Sequence, residues 1–186
     1  MNRIVSVIFV LLLVLCGCRK EEETSELPEA RNAAESYLLS LPDKPSSDDL
    51  YFLVTNGGLV NEDLWEDFVD KCEQEKEAEI TFGQYTIEGD LIYTLLSYDG
   101  DHFQATVDNS RDQFGKPQFF EYEGKHLNYF VWTTMEEYSD GVHPALNHVA
   151  CLSDEVFDDA EELVSRLREG DPDVVLLWTD QTRADR

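Results

Sequence analysis

The sequence predicts an α+β fold, with a mainly antiparallel sheet of about six to eight strands and two or three helices packed on one face. The main indication is residues 78–115, where three runs of alternating apolar residues are separated by two glycine turns. Further short apolar runs follow, and three segments carry apolar residues three and four positions apart, as one face of a helix requires. We therefore expect a single globular domain over residues 29–180.

The N-terminus has the pattern of a secretory signal peptide. Arg3 supplies a positive start, and residues 4–15 form an apolar segment too short to cross a bilayer. The cleavage region resembles a bacterial lipobox, which reads Leu15, Cys16, Gly17 and Cys18. We predict that residues 1–17 are removed and that Cys18 carries a diacylglyceryl group. The alternative is an ordinary secretory signal that is cut elsewhere, with two incidental cysteines.

Lipidation of Cys18 would hold the protein at the outer face of the cell membrane, with the lipid bilayer as its first partner. Two acyl chains make a stable anchor, because each buried CH₂ contributes about 0.8 kcal/mol. Residues 18–28 are charged and lack periodicity, which predicts a flexible acidic tether between the anchor and the domain.

The charge of the chain excludes whole classes of function. Acidic residues number 40 against 14 basic ones, which gives a formal net charge of −26. A negative field of this size repels phosphate backbones and anionic lipid head groups, so nucleic-acid binding and a basic membrane-docking surface are excluded. Solubility outside the cytoplasm explains the acidity, and a cationic extracytoplasmic protein partner or the buffering of divalent ions are alternatives.

Two cysteines remain once Cys16 is removed and Cys18 is acylated. Cys72 and Cys151 are therefore a candidate disulfide, which an extracytoplasmic location permits and which would contribute a few kcal/mol. The alternative is that each is a small buried hydrophobic side chain, Cys72 on a helix and Cys151 in a strand.

The first part of the chain predicts a helix, a strand and a second helix. The first helix begins near Pro28, at a position that suits proline, and ends at Pro42. Residues 50–55 are short, apolar and β-prone, and residues 56–58 form a turn. Asn61 is predicted to cap the second helix. The apolar side of that helix consists of Leu64, Trp65, Phe68, Val69 and Cys72.

The first strand of the central stretch contains a change of phase. Ile80 and Phe82 share one face. Tyr85 and Ile87 lie an odd number of residues beyond Phe82, so in a regular strand they would point to the opposite face. Gly83 lies between the two pairs. A β-bulge at this glycine would restore one common face, and we predict one there.

The other two strands of the central stretch follow from two glycine turns. Gly89 and Gly100 are the second residues of dipeptides suited to tight hairpins, because glycine tolerates positive φ. Residues 91–96 are apolar on both faces, which predicts a central strand. Residues 103–107 alternate between apolar and polar side chains, so this strand has one solvated face.

The second half of the chain predicts a hairpin, a short strand, a third helix and a final strand. The hairpin comprises residues 119–122 and 127–132, and residues 136–144 have a loop-like sequence. A short strand is predicted for residues 147–152 and a last one for residues 174–178. A frayed tail is predicted for residues 181–186.

The third helix is predicted to be capped by Ser153 and to end before Gly170. Its buried stripe would consist of Val156, Phe157, Ala160, Leu163, Val164 and Leu167.

Three motifs in residues 84–115 resemble those of an uncharacterised domain family found in short lipoproteins of Gram-positive bacteria. They read YTIEGD, LSYDG and DNSRDQFG, and NGG and a helix precede them. The general pattern is YT-x-EGD, then YDG, then D-x-x-RD, and it covers residues 50–115. Family members usually have proline after EGD, whereas Asp90 is followed here by Leu91. The resemblance implies a lipoprotein domain and assigns no catalytic residue.

The best candidate for a polar site is the corner after the third strand of the central stretch. Asp108, Ser110, Arg111 and Asp112 lie within five residues there. A functional loop has this density of polar groups. So does a structural corner, in which an Asx-turn holds the backbone and Arg111 pairs with a carboxylate.

No residues in the sequence have the spacing of a metal, cofactor or catalytic motif, and we predict none of the three. The histidines are scattered, and no calcium loop, phosphate loop or G-x-S-x-G elbow is present. His148 and Cys151 are three residues apart on a predicted strand, so they point to opposite faces and do not form a dyad. The histidines are His102, His126, His143 and His148.

Four aromatic residues near the second hairpin form either a binding patch or part of the core. They are Tyr122, Tyr129, Phe130 and Trp132.

The sequence thus predicts a membrane-anchored extracytoplasmic lipoprotein that acts as a non-enzymatic binding or interaction module. Its partner would be another extracytoplasmic protein. Two alternatives come from other classes: an extracytoplasmic enzyme that uses the loop of residues 108–112, and a lipoprotein inhibitor or immunity-type protein.

Overall fold

The computed structural model describes residues 27–46, 49, 51–55, 57–114 and 118–184, with side chains from residue 31 onward. The predicted signal peptide, Cys18 and the tether up to residue 26 lie outside the described residues. One compact unit extends over Asn32–Arg186, and the cores described below belong to it.

The described residues form three helices and nine strands. The helices are α1 (Leu27–Leu39), α2 (Glu62–Glu73) and α3 (Ala160–Glu169). The strands are β1 (Phe52–Thr55), β2 (Gly58–Val60), β3 (Ala78–Tyr85), β4 (Leu91–Tyr98), β5 (Phe103–Asp108), β6 (Phe119–Gly124), β7 (His126–Tyr138), β8 (Gly141–Ser153) and β9 (Val174–Arg183).

The strands form two sheets. The larger has six strands in the order β2-β1-β3-β4-β5-β6, and the smaller has the order β7-β8-β9. All pairs are antiparallel except β1 and β3, which are parallel. The chain between those two strands contains α2, and a crossover of this kind is what a parallel pair needs. The predicted α+β, mainly antiparallel fold is confirmed.

Both faces of the six-stranded sheet are buried. On one face, Phe82 packs with Trp65 of α2 and with Trp178 of the smaller sheet. On the other face, Tyr93 packs with Leu38, which belongs to α1. Phe82 and Tyr93 lie on opposite faces, because Phe82 is paired with Thr94 and successive side chains of a strand point in opposite directions. The helices are therefore distributed over both faces of the sheet rather than one.

The bulge predicted at Gly83 is wrong. The register of β3 against β4 runs without a shift from the pair Ala78–Tyr98 to the pair Tyr85–Leu91. The change of phase arises because the sheet is buried on both faces. Gly83 is required for space: a Cβ there would lie 2.9 Å from Leu91 Cδ1 and 3.0 Å from Leu53 Cδ2.

The loop predicted for residues 136–144 is also wrong, because this segment continues a long hairpin. β7 and β8 each have 13 residues, and their closing pair is Tyr138–Gly141. The acidic residues and Pro144 made the sequence resemble a loop. Pro144 is accommodated because its missing N–H would face the chain just beyond the end of β9, where its carbonyl oxygen accepts from the Ala184 N–H at 2.9 Å.

The predicted start of the third helix is too early. The cap is Asp159, whose carboxylate accepts from the Glu162 N–H at 2.9 Å. Ser153 instead ends β8, where its hydroxyl donates to the Glu155 carbonyl. Val156 is 67 % exposed and lies outside the helix, although Phe157 is buried as predicted.

The predicted frayed tail is wrong for its first residues. β9 continues to Arg183, which pairs with Ala145 of β8. The last two residues lie outside the described part of the chain.

The Asn61 side chain does not cap α2, contrary to the prediction. Its Nδ2 donates to the carbonyl oxygens of Asp49 at 3.0 Å and Tyr51 at 2.8 Å. The amide thus holds the segment before β1, and Asn61 itself has a left-handed backbone, with φ of 58°. Asparagine tolerates that conformation better than most residues.

Candidate functional site

The predicted polar corner follows β5 directly. Asp108, the last residue of that strand, is fully buried. Its Oδ1 accepts from the Ser110 N–H at 2.8 Å, which is an Asx-turn. Its Oδ2 accepts from Arg111 Nη1 in an ion pair. The corner therefore begins with a buried carboxylate that its own neighbours satisfy.

Arg111 also ties the end of α1 to the sheet. Its Nη2 donates to the carbonyl oxygens of Leu38 at 3.1 Å and Leu41 at 2.9 Å. Leu38 lies in the last turn of α1, where its carbonyl also accepts from the Leu41 N–H at 3.2 Å, and Leu41 follows the helix. The guanidinium also lies over the Tyr93 ring, 5.0 Å from its centroid, and its Nε donates to Asp43 at 3.1 Å.

The next residues of the corner hold the turn between β3 and β4. The backbone N–H and the side-chain amide of Gln113 donate to the two carboxylate oxygens of Asp90, at 3.1 and 2.9 Å. Asp112 is turned away from this contact and accepts from the Phe114 N–H at 2.8 Å. The YTIEGD and DNSRDQFG motifs are therefore in direct contact.

The corner has the geometry of a structural clamp. Asp108 and Arg111 are engaged with each other and with backbone groups, and Asp112 bonds its own loop. A general acid or base needs a polar atom directed at a substrate. The engaged carboxylates and guanidinium of this loop favour the structural alternative over the enzymatic one.

A second polar cluster lies in the smaller sheet and was not identified from the sequence. Tyr129, His148 and Asp180 come from β7, β8 and β9, and the Tyr129 hydroxyl is 3.0 Å from His148 Nδ1. His148 is opposite Asp180 in the register of β8 against β9. Both are buried, with 4 % and 8 % of their surface exposed. His148 stood out only as a polar residue in an apolar run, and Asp180 lies beyond the last strand predicted from the sequence, residues 174–178.

This cluster adjoins buried groups without partners. Asp180 Oδ2 and the indole nitrogens of Trp65 and Trp178 have no hydrogen-bond partner among the described residues. Burial raises the pKa of Asp180, while His148 and Thr182 act in the opposite direction. The two indole rings are nearly perpendicular, with centroids 5.0 Å apart. Trp65 and Trp178 are fully buried, and Asp180 keeps 8 % of its surface exposed.

The two candidate disulfide partners, Cys72 and Cys151, are free thiols in the structure. Cys72 packs beside the core that contains Trp65, and Cys151 is buried in a separate cluster with Phe157. Burial raises the pKa of the Cys72 thiol to about 11 and that of Cys151 to about 12. His148 faces the first core and Cys151 the second, so they do not form a dyad.

These thiols should react slowly in the folded protein at pH 7–8, because the thiolate is the nucleophile. In denaturant without reductant, we expect a maleimide to label two more groups in the wild type than in the variant Cys72→Ser/Cys151→Ser. Labelling of the folded protein should become faster as the pH rises towards 11. If the two extra groups appear only after reduction, the cysteines are oxidised and the prediction is wrong.

The four aromatic residues near the second hairpin belong to the core and do not form one patch. Tyr122 and Tyr129 pack against the core around Trp65, whereas Phe130 and Trp132 pack against the cluster around Phe157. They line two different cores.

Three exposed apolar residues of the smaller sheet lie on its β7–β8 hairpin, and Leu176 of β9 is a fourth. Val131, Met135 and Val142 are 47 %, 65 % and 60 % exposed, and we call these three residues the hairpin face. Val131 and Met135 are four residues apart on β7, so their side chains point to the same side of the sheet. Val142 lies opposite Glu137, which is two residues beyond Met135 and therefore points to that side as well.

The opposite side of the hairpin tip is fixed by polar contacts. Arg183 Nη1 donates to both carboxylate oxygens of Asp140, at 3.0 and 2.7 Å. The guanidinium lies over the Tyr138 ring, 5.5 Å from its centroid. The hairpin face is therefore presented by a supported hairpin.

No helix in the described ranges has the length and hydrophobicity needed to cross a bilayer. No three histidine, cysteine or carboxylate residues in those ranges converge to hold a metal ion.

These observations define an α+β protein with two sheets, a structural corner and an exposed hairpin. Residues 48–132 match the family model described as Domain of unknown function (DUF4362). The resemblance to an uncharacterised domain family is thus confirmed, and the match extends from β1 into β7. No curated protein and no solved structure gives a significant match to the chain.

Proposed function

We propose that this protein is a lipid-anchored extracytoplasmic binding protein that engages a protein partner through the hairpin face. The observation that carries the proposal is the exposure of Val131, Met135 and Val142 on one side of a supported hairpin. Clustered exposed apolar residues on a soluble domain are typical of interaction surfaces. The corner of residues 108–112, by contrast, has its charged groups engaged inside the fold.

The anchoring part of the proposal rests on the lipobox. A domain held at the outer face of the membrane by Cys18 would present its hairpin to extracytoplasmic proteins. The net charge of −26 leaves acyl chains as the means of membrane attachment, because the protein field repels anionic head groups.

Metabolic labelling with an alkyne analogue of palmitate tests the anchor. The wild type should be labelled and Cys18→Ala should not, since Cys18 is the acylated residue. Cys16→Ala is the matched control: it changes the neighbouring cysteine, which cleavage removes, and should keep the label. Equal labelling of wild type and Cys18→Ala would exclude the lipoprotein assignment.

Cross-linking in the native membrane tests the binding surface. Met135→Asp and Val142→Asp place a charge on the hairpin face and should abolish capture of the protein that the wild type captures. Ile87→Asp is the control, because Ile87 is also apolar and is 91 % exposed, but lies in the turn between β3 and β4. Capture that is unaffected by either hairpin variant would contradict the proposal, provided that circular dichroism shows all variants folded.

A further inference from the structure

The outer edge of β7 is a free sheet edge among the described residues. β7 is the first strand of the order β7-β8-β9, and its register with β8 continues over 13 residues without a bulge. Half of the backbone N–H and C=O groups of an edge strand point away from its neighbour. A strand of this kind is a template for pairing with another chain.

Pro144 identifies which backbone groups point outward. It lies opposite Met135, lacks an N–H, and directs its carbonyl oxygen to Ala184 of the chain beyond β9. The pair Met135–Pro144 is therefore a non-hydrogen-bonded pair, and the N–H and C=O of Met135 point to the free edge. By alternation, Val131, Thr133 and Glu137 do the same.

This edge lacks proline, lysine and bulges, three features that commonly protect one, and its charged residues are Glu136 and Glu137. Residues 131–138 contain no proline and no lysine, and nothing interrupts their pairing with β8. Eight residues of extended strand cover about 25 Å, which is long enough for several consecutive main-chain hydrogen bonds.

We propose that an extended segment of another protein, with lysine or arginine alternating with apolar residues, adds to β7 as a fourth strand. This inference rests on the proposed binding role of the hairpin. Alternate side chains of the added strand would cover Val131 and Met135, and the others would lie beside Glu136 on the opposite face. A second copy of this chain fits less well, because it would bring Glu136 and Glu137 and a net charge of −26 against the same residues.

The test uses a synthetic peptide in which lysine alternates with valine, labelled for fluorescence anisotropy. In an antiparallel addition, the valines share the face of Met135 and their N–H groups point to β7. We expect N-methylation of the valines to weaken binding by at least about tenfold, the loss of one to two hydrogen bonds. N-methylation of the lysines should change it by less than about twofold, since their N–H groups face solvent. A parallel addition reverses the two results and equally supports strand addition.

Variants of the protein test the contribution of the β7 backbone to the same pairing. Thr133→Pro removes one outward N–H and should weaken binding of the peptide as strongly as N-methylation does. Thr133→Val keeps the N–H and should leave peptide binding unchanged. Circular dichroism of Thr133→Pro verifies folding, and the N-methyl peptides carry the test if this variant unfolds.

The inference is overturned by equal binding of the two methylated peptides, by tight binding of a glutamate–valine peptide, or by no binding of the lysine–valine peptide. In each of these cases the proposed function stands if Met135→Asp still abolishes cross-linking of the native partner. The proposed function fails, independently of the peptide results, if Met135→Asp leaves cross-linking of the native partner unaffected.

Discussion

Arg111→Met should lower the free energy of unfolding by about 3–5 kcal/mol, the cost of removing one partner of a buried ion pair. The substitution leaves the fully buried Asp108 carboxylate without its guanidinium. It also removes the guanidinium bonds to the Leu38 and Leu41 carbonyl oxygens, which loosens α1 from the sheet. Urea denaturation followed by circular dichroism measures the effect.

Lys71→Met is the matched control for this prediction. Lys71 forms an ion pair with Asp67 within α2, but both side chains are half-exposed or more. An exposed pair of this kind contributes about 0.3–0.5 kcal/mol. A loss for Arg111→Met as small as that for Lys71→Met would show that the clamp does not stabilise the fold.

A double variant separates the ion pair from the other contacts of Arg111. In Asp108→Asn/Arg111→Met no buried charge is left unpaired, so the double variant should be less destabilised than the sum of the two single variants. The residual loss then measures the contacts to the end of α1. A strictly additive result would mean that the two side chains stabilise the protein independently.

Local pattern identified the members of the corner but not their partners. The Asx-turn of Asp108 could be predicted because donor and acceptor are two residues apart. The contacts of Arg111 with Leu38 and of Gln113 with Asp90 join residues far apart in sequence, and no spacing rule encodes them. The sequence therefore left the functional and structural alternatives open.

The same difference between local patterns and long-range contacts explains the errors in the predicted secondary structure. The alternating runs of residues 78–115 gave the strands correctly, since period two is visible wherever one face is buried. Beyond Trp132 the β7–β8 hairpin leaves the core, so the alternation of apolar and polar residues weakens and Glu136 and Glu137 look loop-like. Those residues remain in strands because their backbones pair across the hairpin and, for β8, with β9.

The prediction of a bulge at Gly83 was wrong for a different reason. A change of phase in one strand indicates either a bulge or burial of both faces, and only tertiary packing distinguishes them. Here α1 covers one face and α2 with the smaller sheet covers the other. The smaller sheet is also where the pairing of His148 with Asp180 arises, across strands that are about thirty residues apart in the chain.

Trp65→Ala should destabilise the protein by about 3–5 kcal/mol, the usual cost of truncating a buried aromatic side chain. Trp65 is fully buried and contacts aromatic rings from both sheets. Its ring lies 5.5 Å from that of Phe52, 5.6 Å from that of Tyr129 and 5.0 Å from that of Trp178, measured between centroids. The cavity would thus open where α2 and the two sheets meet.

Trp132→Ala is the control with the same change in volume. Trp132 is only partly buried and packs against the separate cluster around Phe157, so its truncation should cost less than that of Trp65. Equal losses measured by urea denaturation would contradict the central role of the Trp65 cluster.

Trp65→Phe then shows whether the loss arises from packing or from the indole nitrogen. The Trp65 N–H has no hydrogen-bond partner among the described residues, and a buried donor without a partner costs about 1–3 kcal/mol. Phenylalanine removes that donor while it retains most of the ring contacts. We therefore expect Trp65→Phe to cost clearly less than Trp65→Ala. A loss as large as that of alanine would mean that the N–H is satisfied in the folded protein, as a buried water would do.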